Sequence, residues 1–233
     1  MAQPLPLVLV PGLLCSARLY VPQIAALWPL GPVTVADHRR DADMAAIAGR
    51  ILANAPPHFA LVGLSMGGYI AFAVQRLAPE RVARLALLDT SARPDLPEQS
   101  AAREKFIGMA EDGRLAEVVE ALTPRFLHRS RQKDETLKRI LCEMAADTGV
   151  EAFVRQQRAI TSRQDSRPLL GSIRCPTLVL VGDGDELTPP DLSKEIAGGI
   201  SGSRLVIVPD CGHLSTIEKP DAVNAALAEW LGA

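Results

Sequence analysis

The chain has 233 residues, 48% of them hydrophobic, enough to bury one full core as a single large domain or as a domain carrying an insertion. A formal net charge of −2 leaves no basic face for nucleic acid, and only 4% aromatic residues place the core on Ala, Leu, Val and Ile. No stretch approaches the roughly 18 apolar residues of a membrane span, and Cys15, Cys142, Cys175 and Cys211 lie too far apart for a CxxC zinc site or a disulfide framework. The first residues, MAQPLPLVLVPG, lack the basic segment of a signal peptide, and prolines break their apolar run. Together these features imply a soluble cytoplasmic globular protein.

In chain order, near-continuous apolar runs predict strands at 5–10, 32–37, 59–64, 84–89, 177–182 and 204–209. Unbroken hydrophobicity, rather than alternation, is what strands covered on both faces of a parallel sheet require. Helical patterns fall at 17–28, 43–54, 66–78, 190–199 and 220–231. Asp41 or Asp43 is placed to cap the second of these, while Pro190 and Pro220 suit first-turn positions. Strands alternating with helices imply right-handed crossovers and a doubly wound, mostly parallel sheet of about six strands.

The alternation stops after Asp89. Residues 95–165 hold no strand, only charged amphipathic stretches, with Pro124 expected to divide two helices. The predicted organisation is therefore a core of residues 1–94 and 168–233 with a helical lid at 95–167. A helical insertion after a strand of a parallel sheet sits at the carboxyl edge, where such sheets bind ligands. Phe106, Met109, Phe126 and Leu127 are available to line a pocket there, although packing of the lid on the sheet accounts for most of them. Arg125, Arg129 and Arg131 offer attraction for an anionic substrate, or simply a solvated basic face.

Gly63-Leu64-Ser65-Met66-Gly67 fits G-x-S-x-G between a predicted strand and a predicted helix. The reversal between them exposes the central side chain on a strained backbone, and small flanking residues let strand and helix approach. A serine hydroxyl needs a base, usually histidine, oriented by a carboxylate. Of the four histidines, His58 precedes its strand on the wrong edge and His128 reads as a solvated surface residue. His38 ends the second strand on the correct edge, close to substrate but weak as a base. His213, in PDCGHLSTIEKP after the last strand, is the best base. Asp185, in LVGDGDELTPP after the fifth strand, is the best acid, with Asp183 the nearest competitor and Asp89 the third. The oxyanion donors expected are the backbone N–H groups of Met66 and of Leu13, in the loop after the first strand. Cys15 and Tyr20 are further pocket candidates. Neither G-x-G-x-x-G nor a P-loop pattern occurs, and no cofactor or metal is expected.

GLSMGGYIA, RCPTLVLVGDGDELTPP and PDCGHLSTIEKP, with the chain order Ser65, Asp185, His213, resemble the α/β-hydrolase superfamily, in particular small bacterial esterase-like members of the carboxylesterase and lactonase branch. The resemblance covers nearly the whole chain outside 95–165. It implies a serine hydrolase acting on small or medium carboxylic esters, with a lactonase, a thioesterase, or a C–C bond hydrolase or lyase as alternatives. Ser65 would be the nucleophile, Asp185 the acid and His213 the base, and the partner would be a small-molecule ester. Three features depart from the family pattern, one being a segment after VADHRR shorter than the usual glycine-containing loop. Pro11-Gly12 stands where many members have His-Gly, and two antiparallel edge strands are absent.

Overall fold

The computed structural model describes residues 4–232. Six strands, β1 (Leu7–Val10), β2 (Val33–Val35), β3 (Phe59–Leu64), β4 (Val82–Leu88), β5 (Thr177–Gly182) and β6 (Arg204–Val208), form one sheet in the order β2-β1-β3-β4-β5-β6. Each neighbouring pair is parallel, so every strand ends on the same edge. The expected edges of β1 were generous: it starts at Leu7 because Pro4 and Pro6 have no N–H to give a ladder.

Side chains of the central strands alternate between two apolar clusters. Leu7, Leu9, Ala60, Val62, Leu64, Ala86 and Leu88 pack on one face, while Val8, Val10, Phe59, Leu61, Leu85 and Leu87 pack on the other. The first face carries α1 (Val21–Leu27), the short α9 (Ser215–Glu218) and α10 (Pro220–Gly232). The second carries α2 (Met44–Asn54), α3 (Met66–Leu77) and α8 (Pro190–Gly199). Both faces of these strands are covered, which is why they read as continuous apolar runs. Asp43 caps α2 by accepting from the N–H groups of Ala45 and Ala46, whereas Asp41 pairs with Arg50.

Between β4 and β5 the chain forms α4 (Pro97–Glu111), α5 (Leu115–Phe126), α6 (Glu135–Thr161) and the short α7 (Arg167–Leu170). Pro124 does not divide two helices: it lies in the last turn of α5. The break is at Gly113, whose φ of +80° closes α4 as Gly113 N–H donates to Ala110 O and Arg114 N–H to Met109 O. That pair of bonds is a Schellman end, which a glycine forms at little conformational cost and a proline cannot form. Gly149, at φ +74°, similarly breaks α6 into two helices. Val118, Leu122, Phe126, Leu137, Leu141 and Met144 join the α1/α10 cluster, so this segment shares the core of the sheet.

Candidate active site

β3 runs into α3 with one residue between them, Ser65, at φ +56° and ψ −115°. No L-residue adopts that backbone freely, and the neighbouring contacts hold it there. Ser65 N–H donates to Leu88 O at 2.9 Å, and Thr90 Oγ1 donates to Ser65 O at 2.8 Å. The glycines around it leave no room for a side chain. A Cβ on Gly63 would collide with Gly67 O, one on Gly67 with Val10 O, and one on Gly68 with the Thr90 side chain. Gly68 is thus required by packing against Thr90, beyond its place in the first helical turn. We expect Gly67→Ala to cost about 3 kcal/mol or more in denaturant unfolding, because backbone rather than a flexible side chain must move.

β5 and β6 deliver the other two groups. His213 Nε2 lies 2.8 Å from Ser65 Oγ, and His213 Nδ1 lies 2.8 Å from Asp185 Oδ2. Asp185 is buried, and its Oδ1 accepts the N–H groups of Leu187 and Thr188 while Oδ2 accepts the Thr188 hydroxyl at 2.7 Å. Burial alone would push the Asp185 carboxyl up. The adjacent imidazole and these donors outweigh burial and hold it below the usual carboxylate range. For His213, burial works against the charged form, yet the Asp185 carboxylate wins and raises the imidazole above its ordinary 6.5.

The competing acids are elsewhere. Asp183 is exposed and accepts from Cys211 N–H. Asp89 is fully buried behind the site, accepting Gly182 N–H at 3.0 Å and the Ser215 hydroxyl at 2.5 Å. Burial, followed by repulsion from Asp185, holds its carboxyl well above the ordinary range. Asp89 therefore ties together the loops that carry Asp185 and His213.

The loop after β1 lies against the serine: a Cβ on Gly12 would be 3.4 Å from Ser65 Cβ. Met66 opens α3, so its N–H is one of those a helix leaves without an internal partner. Leu13 lines the same cavity as Ser65, and its N–H has no acceptor among the described residues. Its flanking peptide groups are both held. Leu14, at φ +59°, donates its N–H to Gln156 Oε1 of α6 at 3.1 Å. Gly12 O lies 2.9 Å from His38 Nε2, which is also 3.0 Å from Gln156 Nε2. Burial lowers His38 to about 4, so the ring is neutral. His38 thus brings an imidazole from the end of β2 to the loop where Pro11 replaces the usual histidine.

The cavity measures about 370 Å³ and is lined by Leu13, Ser65 and His213 together with Phe106, Leu122 and Phe126 from the helical segment. Phe126 stacks on His213 with ring centroids 6.1 Å apart, and its carbonyl accepts the N–H groups of His213 and Leu214. Leu127 and Met109, by contrast, pack into the core. Two expectations fail here. Tyr20 is fully buried with its hydroxyl donating to Val10 O, and Cys15 is buried facing the His38 side, so neither lines this cavity. His128 is buried rather than solvated, because Gly184 and Gly212 leave space that it fills. Its N–H donates to Glu218 Oε2, whose other oxygen accepts Gly212 N–H. His58 is exposed at the amino end of β3.

Among the described residues no helix is long and apolar enough to cross a membrane. The model of the family described as "alpha/beta hydrolase fold" matches residues 26–220. A pimeloyl-(acyl-carrier protein) methyl ester esterase of Neisseria meningitidis is 28% identical over 222 residues, covering 91% of this chain and 85% of that protein. A thermophilic esterase from Thermogutta terrifontis superposes with a TM-score of 0.90 at 31% identity, over 99% of this chain and 90% of that one. The enol-lactonase from Burkholderia xenovorans LB400 gives a TM-score of 0.90 at 25% identity, over 100% and 93%. With its parallel sheet, its strand–Ser65–helix elbow and these relatives, the chain belongs to the alpha/beta hydrolase fold family and is a hydrolase.

Proposed function

We propose that the protein is a serine hydrolase that cleaves carboxylic esters of small or medium acyl chain through an acyl-enzyme. The observation that carries this reading is the chain Asp185–His213–Ser65, with both hydrogen bonds at 2.8 Å, opening on a cavity. His213 Nε2 takes the Ser65 proton as Oγ attacks the acyl carbon, and Asp185 holds Nδ1–H and stabilises the imidazolium. The N–H groups of Leu13 and Met66 receive the oxyanion. His213 then protonates the leaving alcohol, and a water activated by the same imidazole releases the acid. Residues 95–167 serve as a lid in this reading, which is supported by Phe106, Leu122 and Phe126 of that segment lining the cavity with Ser65.

The test is covalent capture. A fluorophosphonate should add one phosphonyl group at Ser65 by peptide mass spectrometry and abolish turnover of 4-nitrophenyl butyrate. An unmodified Ser65, with no turnover of esters, lactones or thioesters, would remove the reading. The Gln156 contact gives a second measurement. Gln156→Leu leaves the buried Leu14 N–H without an acceptor, and we expect kcat to fall by about tenfold and stability by about 1–3 kcal/mol. Gln156→Glu keeps an acceptor and should retain more of kcat than the leucine variant.

A further inference from the structure

The arrangement around Ser65 leaves the charge of the cavity unexplained. Arg93, Arg103, Arg125, Arg163 and Arg167 line it against a single lining acid, Asp95. Arg93 is matched by Glu195 at 2.9 Å and Arg167 by Asp165 at 2.6 Å, both acids lying outside the lining. Arg103 and Arg163 share the one Asp95 carboxylate, at 2.5 and 2.7 Å. Arg125 has neither ion-pair nor hydrogen-bond partner among the described residues. Even with Asp185 counted behind His213, five guanidiniums meet four carboxylates.

The excess is concentrated where water is scarce. The side chains of Asp95, Arg163 and Arg103 are 1%, 8% and 20% exposed. Two guanidiniums on one carboxylate in such a place are under-neutralised, and an arriving anion relieves that cost. The fork of Arg163 is also fixed in advance. It stacks on the Tyr69 ring at 4.2 Å, donates from Nε to Arg93 O and from Nη1 to Ile160 O, and Nη2 has no partner among the described residues. The unpartnered Nη2 of a guanidinium already held in place suits a carboxylate oxygen. The same cavity also offers apolar lining, with Phe106, Leu122, Phe126 and Ile160.

Resting on the ester-hydrolase reading, we propose that the preferred substrate is a half-ester of a dicarboxylic acid. Its ester carbonyl meets Ser65, its short apolar chain lies along the phenylalanines, and its free carboxylate is received by Arg103 and Arg163 with Arg125 attracting it. The positive wall correspondingly rejects esters of acids that carry a trimethylammonium group.

The test compares monoethyl adipate with its neutral counterpart ethyl hexanoate, by pH-stat turnover and by calorimetric binding to Ser65→Ala protein at low salt. The half-ester should show kcat/KM and affinity at least about tenfold higher. Arg103→Gln leaves the balanced Asp95–Arg163 pair in place, so it strands no buried charge, and it should shrink the preference to about threefold or less. Arg125→Gln, on an exposed helix end, should shrink it partly and reduce its salt dependence. Equal turnover and equal binding of the two esters would overturn the proposal while leaving the ester-hydrolase reading intact. A binding preference without any turnover would uphold the anion site and overturn the hydrolase reading instead.

Discussion

Ser65→Ala is expected to lower kcat for 4-nitrophenyl butyrate by roughly 10⁴–10⁶-fold while leaving the thermal midpoint within about 2 °C. The loss is large because, among the described residues, only the Ser65 hydroxyl is hydrogen-bonded to His213 Nε2. Cys15 faces another part of the molecule, and burial pushes its thiol up to about 12, far from a thiolate at neutral pH. The hydroxyl forms one hydrogen bond, to His213, and the backbone of alanine suffers the same φ of +56° as that of serine. Stability is therefore carried by the glycines and by Leu88 and Thr90, not by Oγ. Residual turnover should survive if, as proposed, the Leu13 and Met66 N–H groups polarise the ester carbonyl. Activity within tenfold of the parent in pure Ser65→Ala protein would exclude Ser65 as the nucleophile.

Asp185→Asn should cost about 10⁴-fold in kcat and also move the pH profile. In the proposed mechanism the base must be neutral to accept the serine proton, so kcat/KM should rise with pH as His213 deprotonates. Burial lowers the His213 pKa and Asp185 raises it by more, which puts the acid limb above the ordinary 6.5. Removing the carboxylate leaves burial dominant, and the limb should shift to lower pH. An asparagine amide facing Nδ1 also favours the tautomer with its proton on Nε2, the wrong nitrogen for a base. Steady-state kinetics from pH 5 to 9 on both proteins measures the two effects together. A limb that stays in place, with less than a tenfold loss, would move the role of acid to Asp89. Asp89 lies in the same buried cluster, but its oxygens already serve Gly182 N–H and the Ser215 hydroxyl.

Much of this architecture could be read along the chain because its causes are local. Double-sided burial forces continuous apolar strands, and β3 and β5 begin and end at the residues expected from composition. The elbow needs small residues at fixed offsets, so Gly63 and Gly67 announce Ser65. In a wholly parallel sheet every strand ends on one edge, and so placing Asp185 and His213 after strands was enough to place them near the serine.

The features that escaped prediction have long-range causes. His128 carries arginine neighbours that suggest a solvated face, but the space left by Gly184 and Gly212 buries it. Gly113 ends α4 through a Schellman pair, although Pro124 is the more conspicuous breaker in the sequence. Thr188 and Glu218 lie within the motifs of Asp185 and His213, where spacing could have marked them. Gln156 and Arg163 have no local signal for the contacts that matter: their partners Leu14 and Asp95 are 142 and 68 residues away in the chain, and Phe126 meets His213 from a different element altogether.

The sequence by itself determined the parallel sheet, the serine elbow and the edge on which the polar residues gather, since hydrophobic period and turn chemistry act over a few residues. Only the tertiary structure decided which acid faces His213, what holds the Leu13 peptide, and how one carboxylate comes to serve two guanidiniums. Those outcomes depend on how the loops after β5 and β6 meet and on where the helical segment folds back over the sheet, and burial there sets both the hydrogen-bond partners and the charge balance.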